Sequence, residues 1–275
     1  MIKIIYNEVY KLLARKKIYI FMAIILIVSL FSLASALITN GIFKPTNPNA
    51  DTAMQSQILS SLGRFNGQSF PLTLFGGVMS TILPIFVVIL IANMVTDEYT
   101  DGSLKLPLLR QVSRNELLIG KLVSLTVVMI LMMLFLILLG YGLGTAFFGW
   151  GDRFLIKGRA ISSSQGFIFT LLIYGSSLIS LVSFGMVILL FAVLLDNSGS
   201  VVAIGMGILF SSLFLGQVLP ETSPYLISSY FNTYELFTSQ TGLKEVALGF
   251  LVILTYGIGF LIPSIFIFKR KDLLI

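Results

Sequence analysis

A chain of 275 residues in which 56% are apolar and only 11% charged carries less than half the charge of a soluble domain, where about 25% is usual. The absence of cysteine excludes disulfides and thiolate metal sites, and the absence of histidine removes imidazole ligands and the commonest general base. The net charge of +6 is carried beside apolar runs rather than along a nucleic-acid face, a pattern that suits anionic lipid headgroups.

Residues 1–17 read as an amphipathic interfacial helix. At about 100° per residue, Ile2, Ile5, Tyr6, Val9, Leu12 and Leu13 share an arc of about 120°, while Lys3, Asn7, Glu8, Lys11 and Arg15 lie elsewhere and Lys16 intrudes on the apolar face. Such a helix lies with its apolar face against acyl chains and its lysines among phosphates, then turns at Arg15-Lys16-Lys17 into the first span. A plain basic topology tail is the simpler reading of the same residues.

Six apolar runs follow, near Ile18–Ile38, Leu74–Val95, Leu122–Phe147, Phe167–Leu195, Val201–Leu219 and Val246–Phe268, and none contains Asp, Glu, Lys or Arg. A hydrocarbon core about 30 Å thick takes about 20 residues of helix, and unpaired backbone groups cost several kcal/mol each in lipid. Continuous runs of this length predict an all-α integral membrane protein, a six-transmembrane-helix bundle forming one domain over 1–275. Ala34-Ser35-Ala36 resembles a signal-peptide cleavage site, but the run before it exceeds the ~7–15 residues of a signal core.

Orientation follows from Lys and Arg. With the N-terminus inside, twelve of the eighteen fall on inner segments: Lys3, Lys11, Arg15, Lys16, Lys17, Lys105, Arg110, Arg114, Lys121, Lys269, Arg270 and Lys271. Both termini are therefore expected in the cytoplasm. The cluster Arg153, Lys157 and Arg159, between spans three and four, runs against this bias.

The stretch from Thr96 to Lys121 concentrates charge between two charge-free runs. Its acidic half holds Asp97, Glu98 and Asp101; Gly102 is a flexible break and Ser103 a helix cap. Its second half carries Lys105 and Arg110 with Leu104, Leu106, Leu108 and Leu109, an apolar set available to pack against a protein. Ser113-Arg114-Asn115-Glu116 is a capping box, with Val112 and Leu117 as the hydrophobic staple, so the third helix should start near Arg114 and run unbroken into the membrane. Topology signalling alone is the plainer account of these charges.

Within the spans, Asn93 and the serines Ser176, Ser180 and Ser183, which share one helical face, are candidates to line a path. Close helix packing explains the serines and Gly140-x-x-x-Gly144 more simply. The longest outer loops are Phe43 to Phe70 and Pro220 to Glu245, the latter with Tyr225, Tyr230, Phe231, Tyr234 and Phe237, aromatics that suit the headgroup layer.

Asn7-Glu8-Val9-Tyr10-Lys11-Leu12 with Arg15-Lys16-Lys17, and Asp97-Glu98-Tyr99-Thr100-Asp101-Gly102-Ser103-Leu104-Lys105 running to Val112-Ser113-Arg114 and Lys121, resemble the ABC type-2 exporter permeases. These are membrane subunits of bacterial ATP-driven exporters, of the bacitracin- or lantibiotic-immunity and drug-export kinds. Glu98, Gly102-Ser103-Leu104 and Val112-Ser113-Arg114 match that pattern; Gln111 stands where Pro is usual, and Pro107 interrupts the leucines. The resemblance implies that a separate ATPase, holding ATP and Mg, docks on this loop at Asp97, Glu98, Gly102, Ser103, Leu104, Lys105, Leu108, Arg110, Ser113 and Arg114, and on the entry helix at Glu8, Lys11, Arg15, Lys16 and Lys17. It implies a second permease chain, identical or different, no cofactor on this chain, and a segment before the last span that dips into the outer membrane face, for which Pro220-Glu221-Thr222-Ser223-Pro224 is a fit beginning. No phosphate-binding Gly-x-x-x-x-Gly-Lys-Ser/Thr occurs; Gly120-Lys121-Leu122 lacks the first Gly and the hydroxyl.

The alternative is a secondary transporter or channel without an ATPase. Ion-coupled carriers hold ionisable residues and paired interrupted helices inside the bundle, and the six runs offer no charge. An intramembrane hydrolase would need a base for its nucleophile, and the runs hold no His, Cys or carboxylate.

Overall fold

A computed structural model describes residues 2–14, 16–42, 66–100, 113–151, 154–156, 159–238 and 242–271. Among the described residues six helical segments are long and apolar enough to cross a membrane, as the sequence predicts, and the chain is an all-α multi-pass membrane bundle. The entry helix α1 (Ile2–Ala14) precedes span one, α2 (Lys16–Ile42). Span two, Phe70–Thr100, is composite: α3 (Phe70–Gly77), a π-helical turn Val78–Ile82, α4 (Leu83–Ile91), a second π-helical turn Ala92–Asp97, and a short tip α5 (Glu98–Thr100). Span three is α6 (Arg114–Phe148), span four α7 (Ser163–Leu194), span five α8 (Ser198–Val218) and span six α10 (Leu243–Arg270). Between spans five and six lie 3-10 turns at Pro220–Tyr225 and Ile227–Tyr230, and the short helix α9 (Tyr234–Thr238).

The start of α6 agrees with its expected cap: the Glu116 N–H donates to Ser113 Oγ at 3.2 Å, and the Ser113 N–H donates to Glu116 Oε2 at 3.1 Å. From there the helix runs uninterrupted to Phe148, so its first turns and its membrane portion form one rigid rod.

Span two departs from a plain helix at two places, each marked by a side chain bonded back to the preceding turn. At the first π turn the Ser80 hydroxyl donates to Gly76 O at 2.7 Å, and Pro84, just beyond, lacks the N–H that would continue the ladder. At the second, the Asn93 side-chain amide donates to Ile89 O at 2.6 Å, occupying the carbonyl its own backbone N–H would use in an α-helix. The same i−4 bond is made by Ser124 and Ser176 within plain α-helix, so the hydroxyl alone does not set a π turn.

Spans two and four form the centre, with 61% of their apolar windows buried, against 22% for spans five and six. Close approach is set by glycine. A Cβ at Gly140 would lie 2.7 Å from Pro71 Cα, and one at Gly144 would lie 2.9 Å from Phe70 Cβ, so the Gly140/Gly144 face seats α3 on α6. Gly205 does the same for α8, where a Cβ would come within 2.6 Å of Val88.

One element is absent from the sequence reading: β1 (Phe154–Ile156) pairs antiparallel with β2 (Arg159–Ile161) between spans three and four. Its Phe154 ring is buried where a Cβ on Gly166 would stand, so the hairpin folds back on the start of α7.

Candidate functional site: the charged end of the bundle

The end of the bundle shared by α1, the tip of span two, the start of α6 and the ends of α7 and α10 holds a buried ion network. Lys121, two turns into α6 and 2% exposed, donates to Glu8 Oε2 at 2.9 Å and to Glu98 Oε2 at 2.5 Å. Lys11 donates to Glu8 Oε1 at 2.9 Å and stands 3.8 Å from Glu98 Oε1. Two ammonium groups and two carboxylates thus alternate, and each carboxylate faces both cations. A lone buried charge costs several kcal/mol, so each group depends on the others to stay inside. Burial pushes the Glu8 carboxyl up, but the charge and hydrogen bond of Lys121, and then of Lys11, outweigh it and hold the group below its ordinary value.

This arrangement corrects the expected seating of the entry helix. Glu8, assigned to the polar face, is 3% exposed, whereas Tyr6, assigned to the apolar face, is 74% exposed and Leu13 is exposed too. The face turned to α6 is instead Ile4, Glu8 and Leu12, spaced four apart: Ile4 fits against Gly120, and the Ile5 carbonyl accepts from Ser124 Oγ at 3.3 Å. A paired carboxylate can occupy the packing face because its charge is matched there. The bundle interior does hold ionisable groups, against the expectation from the charge-free runs. The runs are charge-free, but the helices that contain them extend to bury Glu98 and Lys121.

A second set of contacts closes the same end. Arg114 Nη1 donates to Lys269 O at 2.8 Å and Lys271 O at 2.7 Å, satisfying carbonyls left open at the end of α10. Lys271 Nζ donates to Val193 O at 2.8 Å and Asp196 Oδ1 at 2.6 Å, and sits 4.2 Å from the Tyr99 ring centroid. Lys17 Nζ donates to Asn93 Oδ1 at 2.7 Å, and Thr96 Oγ1 donates to Ala192 O at 3.1 Å. The last two turns of span two therefore touch α1, α2, α6, α7 and Lys271, the residue that follows α10, through named side chains.

The expected coupling residues are distributed accordingly. Glu98, Ser113 and Arg114 lie at this end with the contacts given above, Asp97 closes the π turn, and Glu8, Lys11 and Lys17 join them. Lys16 begins α2 and is exposed. Arg15, Gly102, Ser103, Leu104, Lys105, Leu108 and Arg110 lie outside the described residues, as do Pro107, Gln111 and Val112. Asn93, a candidate path residue, is held by Lys17 and Ile89.

The candidate path serines stand on the far side of the core. Ser176 Oγ lies 2.7 Å from Thr233 Oγ1, and Ser177 Oγ lies 2.8 Å from it. The Thr233 N–H donates to Ser177 Oγ at 3.1 Å. Ser183 packs at Gly257 of α10, and Ser180 is fully buried between them in sequence. Thr233 belongs to the segment between spans five and six, and Phe231 beside it packs edge-on to Phe184 of α7 at 5.2 Å. Ser177 is about 20 Å along α7 from its start at ~1.5 Å per residue, so this re-entrant segment folds back against the middle of that helix. The Pro220–Tyr225 turn begins it, at the proline-rich stretch the sequence marked.

Residues 67–274 match the model of a family described as Protein of unknown function (DUF2705). The chain belongs to that family. No curated protein matches it. The DUF2705 match opens just before span two and includes Glu98, Lys121, Arg114 and Lys271, while Glu8 and Lys11 on α1 precede it.

Proposed function

We propose that this chain is the permease subunit of an ATP-binding cassette exporter, without an ATPase site of its own, set in a bacterial plasma membrane with both termini cytoplasmic. A separate ATPase, carrying ATP and Mg, would dock at the charged end, and a second permease chain would complete the path for a hydrophobic or amphipathic substrate such as a peptide antibiotic, toxin, lipid or drug. Export of such a compound would confer resistance or immunity.

The observation that carries this reading is the buried Glu8–Lys121–Glu98 network. It joins the entry helix, the tip of span two and the rigid start of span three. A push on any one of these reaches the other two without a flexible link, which is what a subunit driven from outside requires. The long α6 rod carries that displacement across the bundle.

A secondary transporter is the second reading, favoured by the same buried carboxylates, because carriers place ionisable groups where a coupling ion binds. Purification from native membranes separates the two. The exporter reading expects a nucleotide-hydrolysing partner to co-purify and transport to depend on ATP. Transport by the isolated chain in vesicles, driven by a proton or sodium gradient with no nucleotide, would overturn it in favour of the carrier.

A further inference from the structure

Glu98 and Tyr99 are neighbours on the three-residue tip of span two, yet their side chains are held by different networks. Glu98 joins Lys121 and Lys11, on α6 and α1, while Tyr99 lies under Lys271, which follows α10 and also grips Val193 and Asp196 at the end of α7. Directly before the tip is the π turn Ala92–Asp97. A π turn holds one residue more than an α turn, so converting it would rotate everything after it by roughly 100° and advance it by about 1.5 Å. No such shift could spare one grip and release the other, because both partners sit on consecutive residues of one helical turn.

We propose that Lys271 is a C-terminal latch on a two-position tip. While it bridges Tyr99, Val193 and Asp196, the π turn keeps its extra residue and Glu98 is presented to Lys121. When it lets go, the π turn is free to slip one register, and the ion network at α1 opens with it. Arg114 belongs to the same device as a positioning residue: its two bonds to the Lys269 and Lys271 carbonyls fix the segment that carries the Lys271 side chain. The latch is a property of the chain itself, independent of what docks on this end.

The chain contains no cysteine, so paired spin labels can be placed without a cysteine-free background. One pair, at Thr100→Cys and Asn197→Cys, reports the tip against the end of α7; a second, at Thr100→Cys and Tyr10→Cys, reports it against α1, all three positions being exposed. With Lys271 intact, each pair should give one narrow distance distribution by double electron–electron resonance in lipid nanodiscs. Lys271→Gln should add a second distance in both pairs, and Lys271→Arg, which keeps the charge and can stack on Tyr99, should restore the single one. If Lys271→Gln leaves either pair as in the parent, the tip does not move as a unit under this latch and the proposal fails. A second distance in both pairs that Lys271→Arg does not abolish would also overturn it, since a cation at this position would then not be what holds the tip.

Discussion

The two ends of the bundle are held by different physics. At the charged end, helices are joined by long side chains reaching across gaps: Lys121 to Glu8 and Glu98, Lys271 to Asp196, Arg114 to the end of α10. At the other, Gly140 and Gly144 let α3 approach α6 backbone to backbone, and Thr233 and Phe231 wedge into α7 through hydroxyls and a ring. Close-packed contacts admit little movement before atoms collide, whereas paired charges that stay together can carry the helices that bear them as one unit. Motion is therefore expected with the glycine-packed end as the pivot and the charged end as the part that is moved.

Substitutions should separate the two. Lys121→Ala leaves two buried carboxylates to share Lys11 alone, and removing one partner from a buried ion network typically costs about 3–5 kcal/mol. It should give the largest loss of thermal stability in detergent, and replacing all three of Glu8, Glu98 and Lys121 with Gln, Gln and Met should recover most of it. If the triple variant is no better than Lys121→Ala, the network is not what destabilises the single variant.

Gly140→Val comes next. Its added carbons meet the Pro71 backbone, which cannot rotate away, and overpacking of this kind costs about 1–3 kcal/mol. Gly175→Val or Gly207→Val, on open faces with nothing within 4 Å, should be close to neutral in the same melting assay. Equal losses at Gly140 and Gly175 would remove the pivot from the account.

Thr233→Val should cost less, about 0.6–2 kcal/mol, the range measured for interhelical hydrogen bonds in membranes, because it removes one hydroxyl while preserving shape. Hydrogen exchange at the re-entrant segment should rise while that of α1 stays unchanged. Faster exchange at α1 as well would mean the two ends are not mechanically separate.

The smallest effect at neutral pH is that of protonation. A carboxyl whose folded pKa is depressed contributes stability above its unfolded pKa and loses it as the pH falls through the folded one. Glu8 is such a group, so stability should be level from neutrality down to about 4.5 and fall on further acidification. Glu8→Gln should flatten that acid limb, and an unchanged limb in the variant would assign it to other groups.

Much of this was legible in the sequence because it depends on local rules. Six charge-free runs became six spans, and Ser113-x-x-Glu116 became a capping box, since burial of a long apolar run and capping of a helix start need no information from elsewhere in the chain. What escaped depended on partners far apart. Glu8 looked solvated because a single-helix wheel cannot know that Lys121, 113 positions on, supplies a matching charge. The signal was available in Ile4, Glu8 and Leu12 at i, i+4 and i+8. The hairpin, likewise, has its signal in Phe154-Leu155-Ile156 and Arg159-Ala160-Ile161 about Lys157-Gly158, a pattern that the basic residues mask as a topology signal. The π turns coincide with Asn93 and Ser80 bonding back to the Ile89 and Gly76 carbonyls, and hydrophobic periodicity does not encode a one-residue change in helical register.

The central claim is that the charged end transmits motion supplied by a partner. The direct measurement is on the intact complex from native membranes, in vesicles: ATP hydrolysis and efflux of a labelled amphipathic peptide, compared between the parent chain and Glu98→Ala. Hydrolysis should persist while efflux falls at least tenfold. Efflux that continues at the parent rate in Glu98→Ala would contradict the claim.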